Sequence, residues 1–87
     1  MYTQVNEQPT FYSNGNGKLN KGQPNVVFIH GAGMDHSVWV LPARYFARHG
    51  YNVYALDLPA HGRSKGEPLA TIDDMADWVC AALDSLE

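Results

Sequence analysis

The chain has 87 residues, 45% of them hydrophobic, with a formal net charge of −3 and a single cysteine. That length allows one small domain at most. Lone Cys80 excludes a disulfide-built mini-protein, no Cys/His spacing reads as a zinc site, and no run reaches the roughly 18 apolar residues of a membrane span. With no basic-then-apolar leader, these features imply a cytoplasmic chain without membrane association. The six bases (Lys18, Lys21, Arg44, Arg48, Arg63, Lys65) all precede Glu67, and the six acids from Glu67 onward have no base among them. The bases are spread over loops and a helix rather than gathered with aromatics in a stripe, so nucleic-acid binding is not expected.

Residues 1–24 form a polar segment with one apolar patch, Thr10-Phe11-Tyr12, which predicts an edge strand. The Asn14-Gly15-Asn16-Gly17 turn and a loop to Pro24 follow, and the first nine residues are expected to be disordered. Residues 25–87 carry the stronger signals. Val26-Val27-Phe28-Ile29 predicts a buried parallel strand over 25–30, ended by Gly31 and Gly33. A helix is predicted over about 41–49, with Pro42 in its first turn and Gly50 at the left-handed position after its end. A second strand is predicted over 51–57, stopped by Pro59, so that the three elements make a right-handed βαβ unit. The last helix, about 72–86, has Thr71 as N-cap with Asp74 three residues on. Its apolar stripe is expected to be Ile72, Met75, Ala76, Val79, Leu83 and Leu86, docked on a sheet.

The joint after the first strand reads His30-Gly31-Ala32-Gly33-Met34-Asp35-His36-Ser37-Val38-Trp39. The joint after the second reads Asp57-Leu58-Pro59-Ala60-His61-Gly62-Arg63-Ser64. An apolar strand running into His-Gly-x-Gly, a Trp a few residues later, and a second strand ending in Asp-x-Pro-x-His-Gly-Arg-Ser resemble the α/β-hydrolase fold family. The resemblance covers Asn25 to Glu87, and only loosely the segment before it. It departs at Ala60, where the motif more often has Gly. It implies the opening part of a parallel α/β-hydrolase sheet, left incomplete, in a serine-dependent hydrolase of carboxylic esters or related acyl compounds.

In that family, acyl transfer relies on two backbone N–H donors for the developing oxyanion, one of them from the loop after the first of these strands. The resemblance assigns that donor to Ala32, with Gly31 and Gly33 shaping the loop; the plainer reading of the glycines is a tight turn. Met34 and Trp39 either line an acyl pocket or pack beneath the loop. His30, Asp57, His61 and Arg63 are implied to be structural, although a carboxylate beside His61 invites an acid–base reading. No metal is expected at His30, His61 and Asp57, and no cofactor.

Gly62-Arg63-Ser64-Lys65-Gly66 matches Gly-x-Ser-x-Gly. Pro59 and Pro68 deny it the strand and helix that a nucleophile elbow needs, and no histidine follows Ser64. Cys80, mid-helix, reads as a buried structural thiol. A dinucleotide-binding reading of Gly31-Ala32-Gly33 with Asp57 fails, because His36 stands where the third glycine belongs and Pro42 starts the helix too far away. The resemblance therefore places nucleophile, acid and histidine beyond Glu87, the nucleophile following a next strand that pairs with Val26–Ile29. The chain is expected to be inactive alone: an N-terminal piece, a subunit completed by a complement or by self-association through the open edge, or a non-catalytic remnant.

Overall fold

A computed structural model describes residues 1–86 of the chain, so Glu87 of the expected 25–87 unit lies outside it. Four strands, β1 (Tyr2–Val5), β2 (Gln8–Ser13), β3 (Asn25–Ile29) and β4 (Asn52–Leu56), form one sheet in the order β1-β2-β4-β3. β3 and β4 pair in parallel from Asn25↔Asn52 to Ile29↔Leu56, while β2 is antiparallel to both β1 and β4. Helix α1 spans Val40–Arg48 after a 3₁₀ turn at His36–Trp39, and α2 spans Ile72–Ser85.

The start of the chain corrects two expectations. Residues 2–5 form a strand, and the Thr10-Phe11-Tyr12 strand is internal, with a neighbour on each side. Asn6 and Glu7 both take positive φ (50° and 68°) between Val5 and Gln8, a two-residue turn that closes the hairpin with the right-handed twist of its strands. Asn-Glu lacks the glycine that normally marks such a turn, so the sequence gives no warning of β1. The Gly15 loop docks on α1: a Cβ at Gly15 (φ +65°) would sit 2.5 Å from the Ala43 carbonyl oxygen.

Period-2 alternation sends Tyr54 and Leu56 to one face of β4 and Val53 and Ala55 to the other. The first face carries the main core, where Val5, Tyr12, Tyr54, Leu56 and Leu58 meet Trp78 and Ala82 of α2. There the Tyr54 hydroxyl is held above its ordinary pKa, first by burial and then by nearby Tyr12. On the second face Phe28 stacks against Trp39 and Phe46, whose ring centroids lie 5.0 and 5.8 Å away. Gly50 (φ +86°) ends α1 as expected, and the Thr71 hydroxyl caps α2 by accepting from the Asp74 N–H at 3.0 Å.

The buried side of α2 differs from the expected stripe. Trp78 and Ala82 are its buried residues, and Val79 and Leu86 of the stripe pack partly buried on the same core, while Ile72, Ala76 and Leu83 are exposed, so the docked face is turned to one side of the expected one. Cys80 falls on the outward side and is exposed, correcting the buried thiol. The cause is β1: α2 lies against it, with the Thr3 hydroxyl donating to Ser85 Oγ at 3.1 Å.

At the far end of the sheet Asn52 ties down the loop before β3. Its side chain accepts from the Asn20 N–H at 2.8 Å and donates to the Asn20 carbonyl at 2.9 Å and to Asn25 Oδ1 at 3.0 Å.

Candidate active site

The joints after β3 and β4 leave the same end of two adjacent parallel strands, so residues 30–39 and 57–64 lie side by side. Binding sites of open α/β sheets form at this carboxyl end of the strands. Between the two loops lies an open cavity of about 510 Å³, lined by Gly33, Met34, Asp35, Ser37 and Val38 on one side and Ala60, His61 and Gly62 on the other.

Asp57 is the anchor. It is completely buried and takes three donors: the His36 N–H at 2.6 Å, the His36 Nδ1–H at 2.9 Å, and the Arg63 N–H at 2.9 Å. Its partner is thus His36, not His61, which corrects the acid–base pair suggested by the sequence. Gly62 (φ +52°) is required here, because a Cβ would overlap the Asp57 carboxylate. The Arg63 guanidinium points away from the carboxylate and lies 5.1 Å from the centre of the Phe11 ring. Ala60 occupies the left-handed region at φ 62°, where glycine is unstrained.

His30 and His61 bridge the loops in opposite directions. His30 Nδ1–H donates to the Gly31 carbonyl at 2.7 Å, and its Nε2 accepts the Leu58 N–H at 3.0 Å. His61 Nδ1–H donates to the Pro59 carbonyl at 2.9 Å, and its Nε2 accepts the Gly33 N–H at 3.0 Å. Both ring nitrogens of each histidine are thus engaged by backbone groups.

In the first loop, the N–H groups of Gly33 and Met34 are committed to His61 and to the Gly31 carbonyl. The exposed Ala32 N–H makes no hydrogen bond among the described residues. Met34 lines the cavity, whereas Trp39 packs beneath it on Phe28. Val38 and Ser37, which the sequence reading passed over, also face the cavity because the 3₁₀ turn carries them up to its rim. Asp35 caps that turn, and hydrogen bonds from the Ser37 hydroxyl and N–H hold its carboxyl below the ordinary carboxylate pKa.

Asp35, His36 and Asp57 place ligand-type atoms within 4.8 Å of one another. The donors of Ser37, His36 and Arg63 already occupy the carboxylates, so the cluster is a hydrogen-bonded brace for the turn.

Ser64 is not presented as a nucleophile. Its buried hydroxyl donates to the Asp57 carbonyl at 2.7 Å and accepts the Phe11 N–H at 2.9 Å, joining the second loop to β2. Ser64→Ala leaves a buried N–H unsatisfied and is expected to lower unfolding free energy by about 1–3 kcal/mol in a urea titration. Acyl-enzyme formation per folded molecule is expected to be unchanged in an enzyme carrying this segment; its loss would identify Ser64 as the nucleophile.

Comparison with known proteins matches this architecture. A model of the alpha/beta hydrolase family matches residues 26–87. The chain is 37% identical over 67 residues to the (E)-2-((N-methylformamido)methylene)succinate hydrolase of Acinetobacter baylyi, covering 76% of this chain and 25% of that protein. It is 36% identical over 61 residues to the pimeloyl-[acyl-carrier protein] methyl ester esterase of Proteus mirabilis, covering 70% and 23%. The chain thus spans about a quarter of the length of these relatives.

Among solved structures, a bacterial membrane phospholipase A superposes with a TM-score of 0.85 at 28% identity, over 99% of this chain and 27% of that one. A protein from Thermoplasma acidophilum described as a predicted CIB-like hydrolase superposes with a TM-score of 0.83 at 20% identity, over 99% and 44%, and shows the fold alone. The likeness therefore extends through the N-terminal hairpin, further than the motifs reach. Among the described residues no helix is long and apolar enough to cross a membrane. Strand order, loop geometry and relatives agree: the chain belongs to the alpha/beta hydrolase family.

Proposed function

We propose that this segment supplies the oxyanion loop of a serine-type hydrolase acting on carboxylic esters or related acyl compounds. The carrying observation is the Ala32 N–H, left without an acceptor while its two successors in the loop are engaged. A fixed donor at such a position stabilises charge that develops on a carbonyl oxygen without reorganising during the reaction. Gly31 and Gly33 let the backbone approach the substrate, and Met34 and Val38 give the cavity an apolar side suited to an acyl chain. The esterase-like relatives support this substrate class.

Nucleophile, acid and histidine are assigned to chain outside these residues. β3 has no neighbour on its outer side among the described residues, and there it receives a further parallel strand, in cis or from a partner. The single free Cys80 suits a cytoplasmic setting.

The 87 residues alone are expected to give no turnover of an activated ester. Joined to a segment bearing the triad they are expected to be active, and Ala32→Pro, which deletes the donor, should lower kcat by about 10²–10³-fold with a smaller change in KM. Turnover by the chain alone, abolished by a serine-directed reagent, would overturn the assignment.

A further inference from the structure

Two histidines in this molecule can do their work only when neutral. A carbonyl oxygen accepts and never donates, so the protons of His30 and His61 sit on Nδ1, facing Gly31 and Pro59. A backbone N–H donates and never accepts, so the Nε2 atoms facing Leu58 and Gly33 carry lone pairs. Each ring belongs to one loop and accepts from the other, and the two rings lie 5.1 Å apart between centroids. A proton added at either Nε2 turns an acceptor into a donor aimed at an N–H, and that bridge is lost.

We propose that His30 and His61 form a reciprocal, proton-sensitive latch that positions the oxyanion loop, closed when both are neutral and released on acidification. The latch is a property of the chain itself; its consequence for hydrolysis rests on the proposed function. His61 is the more direct of the two, since the N–H it holds belongs to Gly33, next to the Ala32 donor.

The other two histidines behave oppositely. His36 Nδ1–H donates to Asp57 and His49 Nδ1–H donates to the Tyr45 carbonyl, contacts that an imidazolium keeps. The charged and titratable groups around the latch are Asp35 and His36 on the first loop and Asp57 and Arg63 on the second. Asp35 is engaged by Ser37, Asp57 by His36 and the Arg63 N–H, and the Arg63 side chain by Phe11. None of them offers Gly33 or Leu58 a replacement acceptor.

The test is nuclear magnetic resonance on the uniformly ¹⁵N-labelled full chain, titrated between about pH 8 and pH 5. At the alkaline end, couplings across the hydrogen bonds are expected from Gly33 ¹⁵N to His61 ¹⁵Nε2 and from Leu58 ¹⁵N to His30 ¹⁵Nε2. Both should vanish on acidification, in step with the ring nitrogens, while amide-exchange protection at the two positions, corrected for intrinsic rates, falls about tenfold. In His61→Gln, whose amide oxygen accepts at any pH, Gly33 protection should no longer depend on pH while Leu58 still responds. Retention of both couplings after the rings have titrated would overturn the latch, as would a proton found on Nε2 at high pH. The wild-type titration decides even if the variant fails to fold. No hydrolysis is read, so failure of the ester-hydrolase assignment leaves the latch result standing, and a pH-silent latch leaves that assignment intact.

Discussion

Replacing Asp57 with alanine is expected to remove about 3–5 kcal/mol of folding stability. The buried carboxylate holds two backbone N–H groups and one imidazole N–H. Each buried donor left without an acceptor costs about 1–3 kcal/mol, and alanine provides none. Removing a desolvated charge offsets part of this, which keeps the total from reaching the simple sum.

Asp57→Asn separates charge from geometry. With its oxygen turned to His36, asparagine keeps the acceptor at Oδ1 and loses only the one serving Arg63, so a smaller loss of about 1–3 kcal/mol is expected. Urea denaturation midpoints, compared at constant m-value, measure both. A change below about 1 kcal/mol for Asp57→Ala would show that water satisfies these donors and that the brace is dispensable.

Trp78→Ala is expected to cost about 3–5 kcal/mol, through lost burial and the cavity left behind. Trp78 is 4% exposed and sits among Val5, Tyr12, Tyr54 and Leu58, so it joins α2 to the hairpin and to the centre of the sheet at once. α2 has no comparable anchor, since its other fully buried residue is the small Ala82. Loss of helical circular dichroism ahead of the main urea transition is the expected signature. Ile72→Ala is the control: Ile72 is 77% exposed and should change stability by less than about 0.5 kcal/mol. The reverse ranking would mean that α2 docks through the stripe read from the sequence.

Those two substitutions mark where sequence reading succeeded and where it failed. β3 forms the expected parallel strand, but half-buried rather than buried, because it ends the sheet among the described residues. That strand, the Gly50 end of α1 and the Thr71 cap are local, fixed by side-chain branching, backbone freedom and a hydroxyl within three residues of its N–H. All were legible. The centre of the buried face of α2 was not, because the helix is apolar over a wide arc and periodicity cannot choose its middle. β1 made that choice, and β1 was invisible because its turn uses Asn6-Glu7 without glycine. At the site, the two loops follow from motifs, but the partner of Asp57 does not. His61 is the nearer histidine in sequence; His36 is the one that the parallel pairing of β3 and β4 brings to the carboxylate.

Composition by itself determined that these residues hold no internal disulfide, Cys80 being their single cysteine, and the two loop motifs pointed to the family. Both are written in residue type and spacing. Tertiary structure alone decided which groups meet across the loops: Asp57 with His36, Ser64 with Phe11, and each of His30 and His61 with the opposite backbone. Such contacts join residues 21 to 53 positions apart, and their geometry depends on strand register and on which way each ring turns. Local propensity carries no information on either.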